Sequence, residues 1–311
     1  MTNIRVHNPC NSHTRYYRNY NLFWDKFTDY LKEYFVVEEN RYFEDAHSSR
    51  FKVELQKGQS SEFLLLECEY VIENLDNGEF VIMSVADDLT HAILNEKDNP
   101  FLKKVLISQF DPTKISQHIG KHMYKYSPWT YFQAGLDDIE EYYTKRCLIK
   151  DFENKIYFKG TSLEDRSILN YIDKSIITDF TPIPQPTYFN DLISHKLALS
   201  VDGRGEFCYR DVECFGVGIP ILRFEYLSIF NQPLVPNYHY ISIPRPSDMV
   251  LYRSGKQDHA ELIKNRYFEV IEDVEFLNFI SDNARKYYSE NFELNSKLSN
   301  TFNILNLNSW L

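Results

Sequence analysis

No CxxC pair occurs in the sequence, and its five cysteines (Cys10, Cys68, Cys147, Cys208, Cys214) are scattered and odd in number. That pattern argues against a disulfide framework or a zinc site and for free thiols in a reducing compartment. The N-terminal stretch MTNIRVHNPC lacks the apolar segment of a signal peptide. Apolar runs such as Phe63–Leu66 fall far short of the ~20 residues that span a bilayer. A soluble, cytoplasmic protein with no transmembrane segment is therefore expected. Positive charge is in deficit, with 34 Lys and Arg against 45 Asp and Glu and a formal charge of −11. Such a balance repels a phosphate backbone and argues against a general nucleic-acid binder unless a local basic patch overrides it. Glycine (10) and proline (12) are sparse, and there is no internal repeat, no Walker A spacing and no DxD triplet.

What is present is a globular composition, 43% hydrophobic and 25% charged. A chain of 311 residues is long for one core, so one large or two medium domains are expected. Aromatics are abundant, with 23 Tyr and 23 Phe. Half-buried tyrosines, ring in and hydroxyl out, explain this; so does a genomic bias towards Asn, Lys, Ile, Tyr and Phe.

Hydrophobic periodicity divides the chain into two α/β series. Asn3–His7 reads as a first strand, and residues 22–35 carry apolar groups at Leu22, Phe23, Phe27, Tyr30, Leu31 and Tyr34, a helical period. Residues 63–72, 80–85 and 104–108 read as strands, so the first 150 residues alternate strand and helix. A second series begins with the strand NKIYF (154–158), followed by a helix from Leu163 to Asp173 and the loop TPIPQP (181–186). Strands are expected at 196–201, 219–223 and 239–243, and helices at 209–216, 256–271 and 274–290. The fold class is thus α/β, with domains 1–150 and 151–292 and an Asn/Leu/Ser-rich tail over 293–311. A cleft between two such halves is the natural ligand site, because strand C-termini and helix N-termini converge there.

Two strand–turn–helix junctions carry the densest chemistry. In the first, an apolar strand stops at Asp202-Gly203-Arg204-Gly205, and Arg210 and Glu213 follow on a short helix. Glycine tolerates the sharp turn, and the helix start offers amides and partial positive charge to an anion. Arg210 in the first turn suits a phosphate, and Glu213 one turn deeper suits a ribose hydroxyl. The same residues also fit a surface turn and a capped helix bearing an ordinary Arg–Glu pair. In the second junction, Lys159-Gly160-Thr161-Ser162 ends the NKIYF strand, with Arg166 one turn later: again a cation, a glycine and hydroxyls at a helix start. In the first half, Asp87 and Asp88 follow the strand FVIMSV, with His91 a turn away. They are candidates for a general base, or else a helix N-cap. His13 and Arg15 are further candidates for an acceptor site, whereas His195, His239 and His259 show no ligand spacing.

The order FKG-T-S…R, LSVDGRG…YR-xx-E-xxxxG-xP, HYISI-P…D and FLNFISDNARKYYSEN resembles the glycosyltransferases that include protein O-glucosyltransferases and capsule-associated xylosyltransferases, with exostosin-like enzymes close in style. The resemblance covers residues 154–292 and is much weaker over the N-terminal half. It implies a GT-B architecture of two facing Rossmann-like domains, a nucleotide-sugar donor (a UDP-sugar carrying xylose or glucose), no further cofactor and no metal. Lys159 stands where the family often has an arginine beside the glycine and is implied to touch the donor diphosphate. Thr161 and Ser162 match its small hydroxyl positions, Arg210 matches the arginine after its D-G turn, and Glu213 resembles its ribose-binding acid. Tyr209 stands where the family frequently has serine. The leading expectation is a glycosyltransferase, inverting and metal-independent, acting on a glycan or protein hydroxyl. The alternative from another class is a non-catalytic module of the same fold that binds a glycan or a partner protein.

Overall fold

The structure, a computed structural model, describes residues 1–8, 18–41, 50–55, 63–66, 69–85, 90–108, 110–129, 138–160, 164–202, 206–249 and 257–311. Contacts divide these into two compact units. One comprises Met1–Gly135, Ser228–Asn231 and Leu294–Leu311, the other Leu136–Leu227 and Gln232–Glu293.

The first unit contains β1 (Asn3–Asn8), α1 (Arg18–Leu31), β2 (Val36–Arg41), β3 (Arg50–Val53), β4 (Phe63–Leu66), β5 (Glu69–Asn74), β6 (Phe80–Ser84), α2 (His91–Asn95), β7 (Leu102–Ile107), α3 (Pro112–Ile119) and β8 (Tyr126–Pro128). Six strands form one sheet in the order β2-β1-β5-β6-β7-β8. Every neighbouring pair is parallel except those made by β5, which runs antiparallel to β1 and β6. The sheet is thus mixed and not a plain strand–helix alternation. β5 and β6 are buried along their whole length, as central strands covered on both faces must be. β3 and β4 pair separately as an antiparallel ribbon. α3 starts cleanly because Asp111 accepts from the amides of Thr113 (2.9 Å) and Lys114 (3.2 Å) and Pro112 needs no donor partner.

Residues 293–311, expected as a tail, are a helix (Leu294–Ile304) and a 3₁₀ turn (Leu307–Trp310) built into this unit. Phe302 packs against Tyr30, Tyr34 and Phe35. Trp310 donates to Glu79 at 3.0 Å, and Trp129 donates to Thr301 at 3.0 Å. Asn and Ser dominate the composition here, yet Leu294, Leu298, Thr301, Phe302 and Leu305 keep the spacing of one helix face.

The second unit contains α4 (Ile139–Cys147), β9 (Glu153–Tyr157), α5 (Gln185–Leu192), β10 (His195–Leu199), α6 (Tyr209–Val217), β11 (Ile221–Phe224), β12 (Ile241–Ile243), α7 (Gln257–Val270) and α8 (Val274–Asn291). Its four strands are all parallel and lie in chain order, β9-β10-β11-β12. A single parallel bridge from Ile177 to Ile156 extends the sheet beyond β9. The segment expected as a helix over 163–173 is a 3₁₀ helix, Glu164–Tyr171. Leu197, Leu199, Leu222, Phe224, Ile241 and Ile243 pack into one core with Ile263 and Tyr267 of α7 and Ile280 of α8. On the opposite face α6 packs tightly against α4 and α8. A Cβ on Gly216 would come within 2.6 Å of Ile139 and 2.9 Å of Tyr288, so only glycine permits this approach. That contact places α4 in the second unit, so the boundary between the units precedes α4. α6 then ends at Gly218 in the left-handed conformation (φ 70°). The Gly218 carbonyl accepts from Arg146 of α4 (3.0 Å) and Ser281 of α8 (2.6 Å).

No helix among the described residues is long and apolar enough to cross a membrane. One buried charge in the first unit has a measurable consequence. Lys297, 2% exposed, places its ammonium 4.6 Å from the centre of the Trp129 ring, and burial pulls its pKa well below the ordinary 10.5. Between those two values the unfolded chain binds the extra proton, so stability rises with pH across the window. Lys297→Met keeps the stem and removes the amine. It is expected to raise Tm at neutral pH, with the gain over the parent shrinking towards pH ~10, as thermal melts at both pH values would show.

Candidate functional site

Because β9 to β12 are parallel, their carboxyl ends share one edge of the sheet, the edge at which open α/β sheets bind ligands. Lys159 follows β9, Ser200 and Asp202 follow β10, Glu225 follows β11 and Arg245 follows β12. Strand alternation sends Leu199 and Leu222 into the core beneath α7 and turns Ser200, Asp202 and Arg223 towards α6.

Arg223, 1% exposed, is the centre of this edge. It donates to Asp211 of α6 (2.9 Å), to Asp202 (3.2 Å) and to the backbone carbonyls of Glu206 (3.1 Å) and Phe224 (3.1 Å). Its guanidinium also lies over the Tyr226 ring, 3.4 Å from the centroid. Arg245 binds the other oxygen of Asp202 (2.8 Å) and Glu206 (3.2 Å). Asp211 in turn accepts from the Cys208 amide at 2.7 Å, closing the start of α6. Three carboxylates and two guanidiniums thus form one buried network that ties α6 to the ends of β10, β11 and β12.

Two cations stand outside that network. Lys159, 9% exposed, donates to Asp179 at 2.8 Å, and its neighbour Gly160 lies against the same 178–181 segment through its amide bond to the Phe180 carbonyl (3.4 Å). Asp179 is itself held by the Thr181 amide (2.9 Å). The Lys159 ammonium, followed by the Thr181 group, keeps the Asp179 carboxyl well below the usual carboxylate range. Arg210 is 8% exposed, and its guanidinium lies 4.0 Å from the centre of the Phe158 ring. One of its Nη groups donates to the Lys159 carbonyl, and its Nε is buried without a hydrogen-bond partner. Among the described residues no carboxylate lies within ion-pair distance of Arg210. The Ser200 hydroxyl on the same edge is also buried without a partner.

Glu213, half-buried on α6, accepts from the Tyr188 hydroxyl at 2.8 Å. Burial, with the Glu213 charge beside it, pushes the Tyr188 phenol well above its ordinary value, so it remains a donor.

The structure therefore brings Lys159, Gly160, Arg210 and Asp202 to one edge, with Glu213 on the same helix as Arg210. Asp202 is committed there to two arginines. Thr161, Ser162, Gly203, Gly205, Asp87 and Asp88, like His13 and Arg15, lie outside the described residues, as do the side chains of Arg166 and His91. Asp179, Ser200, Glu206, Asp211, Arg223 and Arg245 were not expected at the site. The arginine inside the otherwise apolar strand ILRF is the one sequence signal that marks them.

Comparison with family models and with curated proteins gives no match. Solved structures similar to this chain include a glycosyltransferase from Rickettsia africae, with 12% identity and a TM-score of 0.42 over 71% of this chain and 68% of that one. They include HepE of Anabaena in complex with UDP-glucose (13%, 0.38, 71% of each chain). The pneumococcal O-GlcNAc transferase GtfA in complex with UDP and GlcNAc is a third (14%, 0.39, 71% of this chain and 49% of that one). At such identities and TM-scores these likenesses assign the chain no family and no activity. The α/β class rests on the two sheets described above.

Arg223→Met removes the shared cation and leaves Asp202 and Asp211 buried beside α6. Breaking such a network by deleting one partner costs about 3–5 kcal/mol, so a fall in Tm of several degrees is expected. An unchanged Tm would show that the network contributes little.

Proposed function

We propose that the chain is a GT-B glycosyltransferase whose second unit binds a nucleoside-diphosphate sugar at the carboxyl edge of its parallel sheet. The observation that carries this role is Arg210, a guanidinium 8% exposed that makes no direct ion pair with a described carboxylate and whose Nε has no hydrogen-bond partner, with Glu213 acting on it only through space. A buried donor left in that state has an unmet hydrogen bond. A diphosphate at the start of α6 answers it, and Lys159 from the adjacent strand supplies a second positive group.

The chemistry follows from that placement. In glycosyl transfer an acceptor hydroxyl oxygen bonds to the anomeric carbon, the bond from that carbon to the diphosphate breaks, and the electron pair leaves with the diphosphate. Charge therefore grows on the leaving oxygens, where Arg210, Lys159 and the α6 amides stabilise it more in the transition state than in the ground state. Glu213, oriented by Tyr188, receives the ribose hydroxyls. For the base that takes the acceptor proton the candidates put forward are Asp87 or Asp88, with His91 beside them in sequence. The donor is a UDP-sugar carrying glucose or xylose, the acceptor a glycan or protein hydroxyl, and the transfer inverting without a metal.

A thermal-shift panel of UDP, GDP, CDP and dTDP in EDTA tests the donor site. One diphosphate is expected to raise Tm, because a ligand that binds only the folded state stabilises it. Arg210→Ala should weaken that binding by more than ~1 kcal/mol while the ligand-free variant still melts cooperatively. No shift from any diphosphate would contradict the proposal. Binding without turnover of UDP-glucose or UDP-xylose on any acceptor would instead favour a non-catalytic module.

A further inference from the structure

The two cations of the proposed site differ in one respect that bears on affinity. Arg210 has no carboxylate partner among the described residues, whereas Lys159 already holds one. Asp179 meets the Lys159 ammonium at 2.8 Å, yet its side chain is 68% exposed while that of Lys159 is 10% exposed. The lysine is thus fixed in the wall of the site, and the carboxylate covers its outer side.

Asp179 is not a loose surface group. Its second oxygen accepts from the Thr181 amide at 2.9 Å. Its backbone is fixed by the Thr178 side chain, which donates to the Phe158 carbonyl (2.9 Å) and accepts from the Phe158 amide (2.9 Å). A single parallel bridge from Ile177 to Ile156 holds the same segment beside β9. The segment held beside β9 therefore delivers a carboxylate to the cation at the end of that strand.

We propose that Asp179 is an internal competitor for the anion at Lys159 and so sets the affinity of the site for nucleoside diphosphates. This role rests on the donor site proposed above. An arriving phosphate must either displace the carboxylate from the ammonium or share the ammonium with it. In the second case two like charges stand within a few ångströms of one another. Either way the site releases a diphosphate more readily than Lys159 and Arg210 alone would allow, which suits an enzyme that must shed its nucleotide product after each transfer.

The test measures UDP binding by calorimetry to four full-length proteins: the parent, Asp179→Asn, Lys159→Met and the double variant. Asparagine keeps an oxygen for the Thr181 amide and removes the charge, and melting curves of the free proteins confirm folding. Asp179→Asn is expected to tighten UDP binding about tenfold, the order of one screened charge contact. Lys159→Met should weaken binding, and the double variant should match Lys159→Met within about twofold, since the competition acts through the ammonium. Unchanged or weaker binding by Asp179→Asn would overturn the inference while leaving the donor site intact. So would a full gain that persists without Lys159, or unaltered binding by Lys159→Met. Failure of the parent and of all three variants to bind UDP would overturn the donor site itself, and this role with it.

Discussion

Arg223 is the constraint on which the second unit depends. A parallel sheet presents its strand ends together but says nothing about how a helix should seat above them. Arg223 settles that by rising from the middle of β11 to meet Asp211 on α6 and Asp202 at the end of β10. Desolvating a guanidinium this completely is costly, and it is tolerated because its donors meet carboxylates or carbonyls. The fit at the far end of α6 is steric, through Gly216 against Ile139 and Tyr288. Ion pairs at one end and close backbone approach at the other hold the helix in one position.

That seating gives Arg210 its environment. It lies one residue before Asp211, so the pin that fixes Asp211 under α6 also drives Arg210 down onto Phe158 and the Lys159 carbonyl. The negative surplus of the network, three carboxylates to two arginines, lies inward. Asp202 and Glu206 are occupied by internal donors, Asp211 keeps one buried oxygen without a hydrogen-bond partner, and Arg210 and Lys159 belong to a different set of residues. The same edge thus contains a buried ionic network that builds the fold and, outside it, Arg210 with an unpartnered Nε and Lys159 paired with Asp179.

Much of this architecture was legible in the sequence. Buried strands such as FVIMS and ILRF announce themselves as short apolar runs, and the D-G-R-G turn before YRDVECFGV places α6 within one residue. β2 was not legible, because VVEENR is an edge strand with charged residues and no clean alternation. The reversal of β5 was not legible either, since a run buried on both faces carries no sign of direction. At the site, Lys159 and Arg210 could be singled out from turn chemistry alone. Their partners could not: Asp179 lies 20 residues from Lys159, and Arg223 lies 21 from Asp202, so both contacts exist only once the strand order is known. For the same reason Asp202 looked like a ligand group when its two oxygens are in fact taken by arginines.

The central claim is that the carboxyl edge of the β9–β12 sheet is a nucleoside-diphosphate site. Hydrogen exchange of the intact chain, measured with and without saturating UDP in EDTA, tests it most directly because it reads location as well as binding. Slower exchange confined to the amides around 158–160, 178–181 and 208–213 is the predicted result. Protection that falls elsewhere in the chain, with these three segments unchanged, would contradict it.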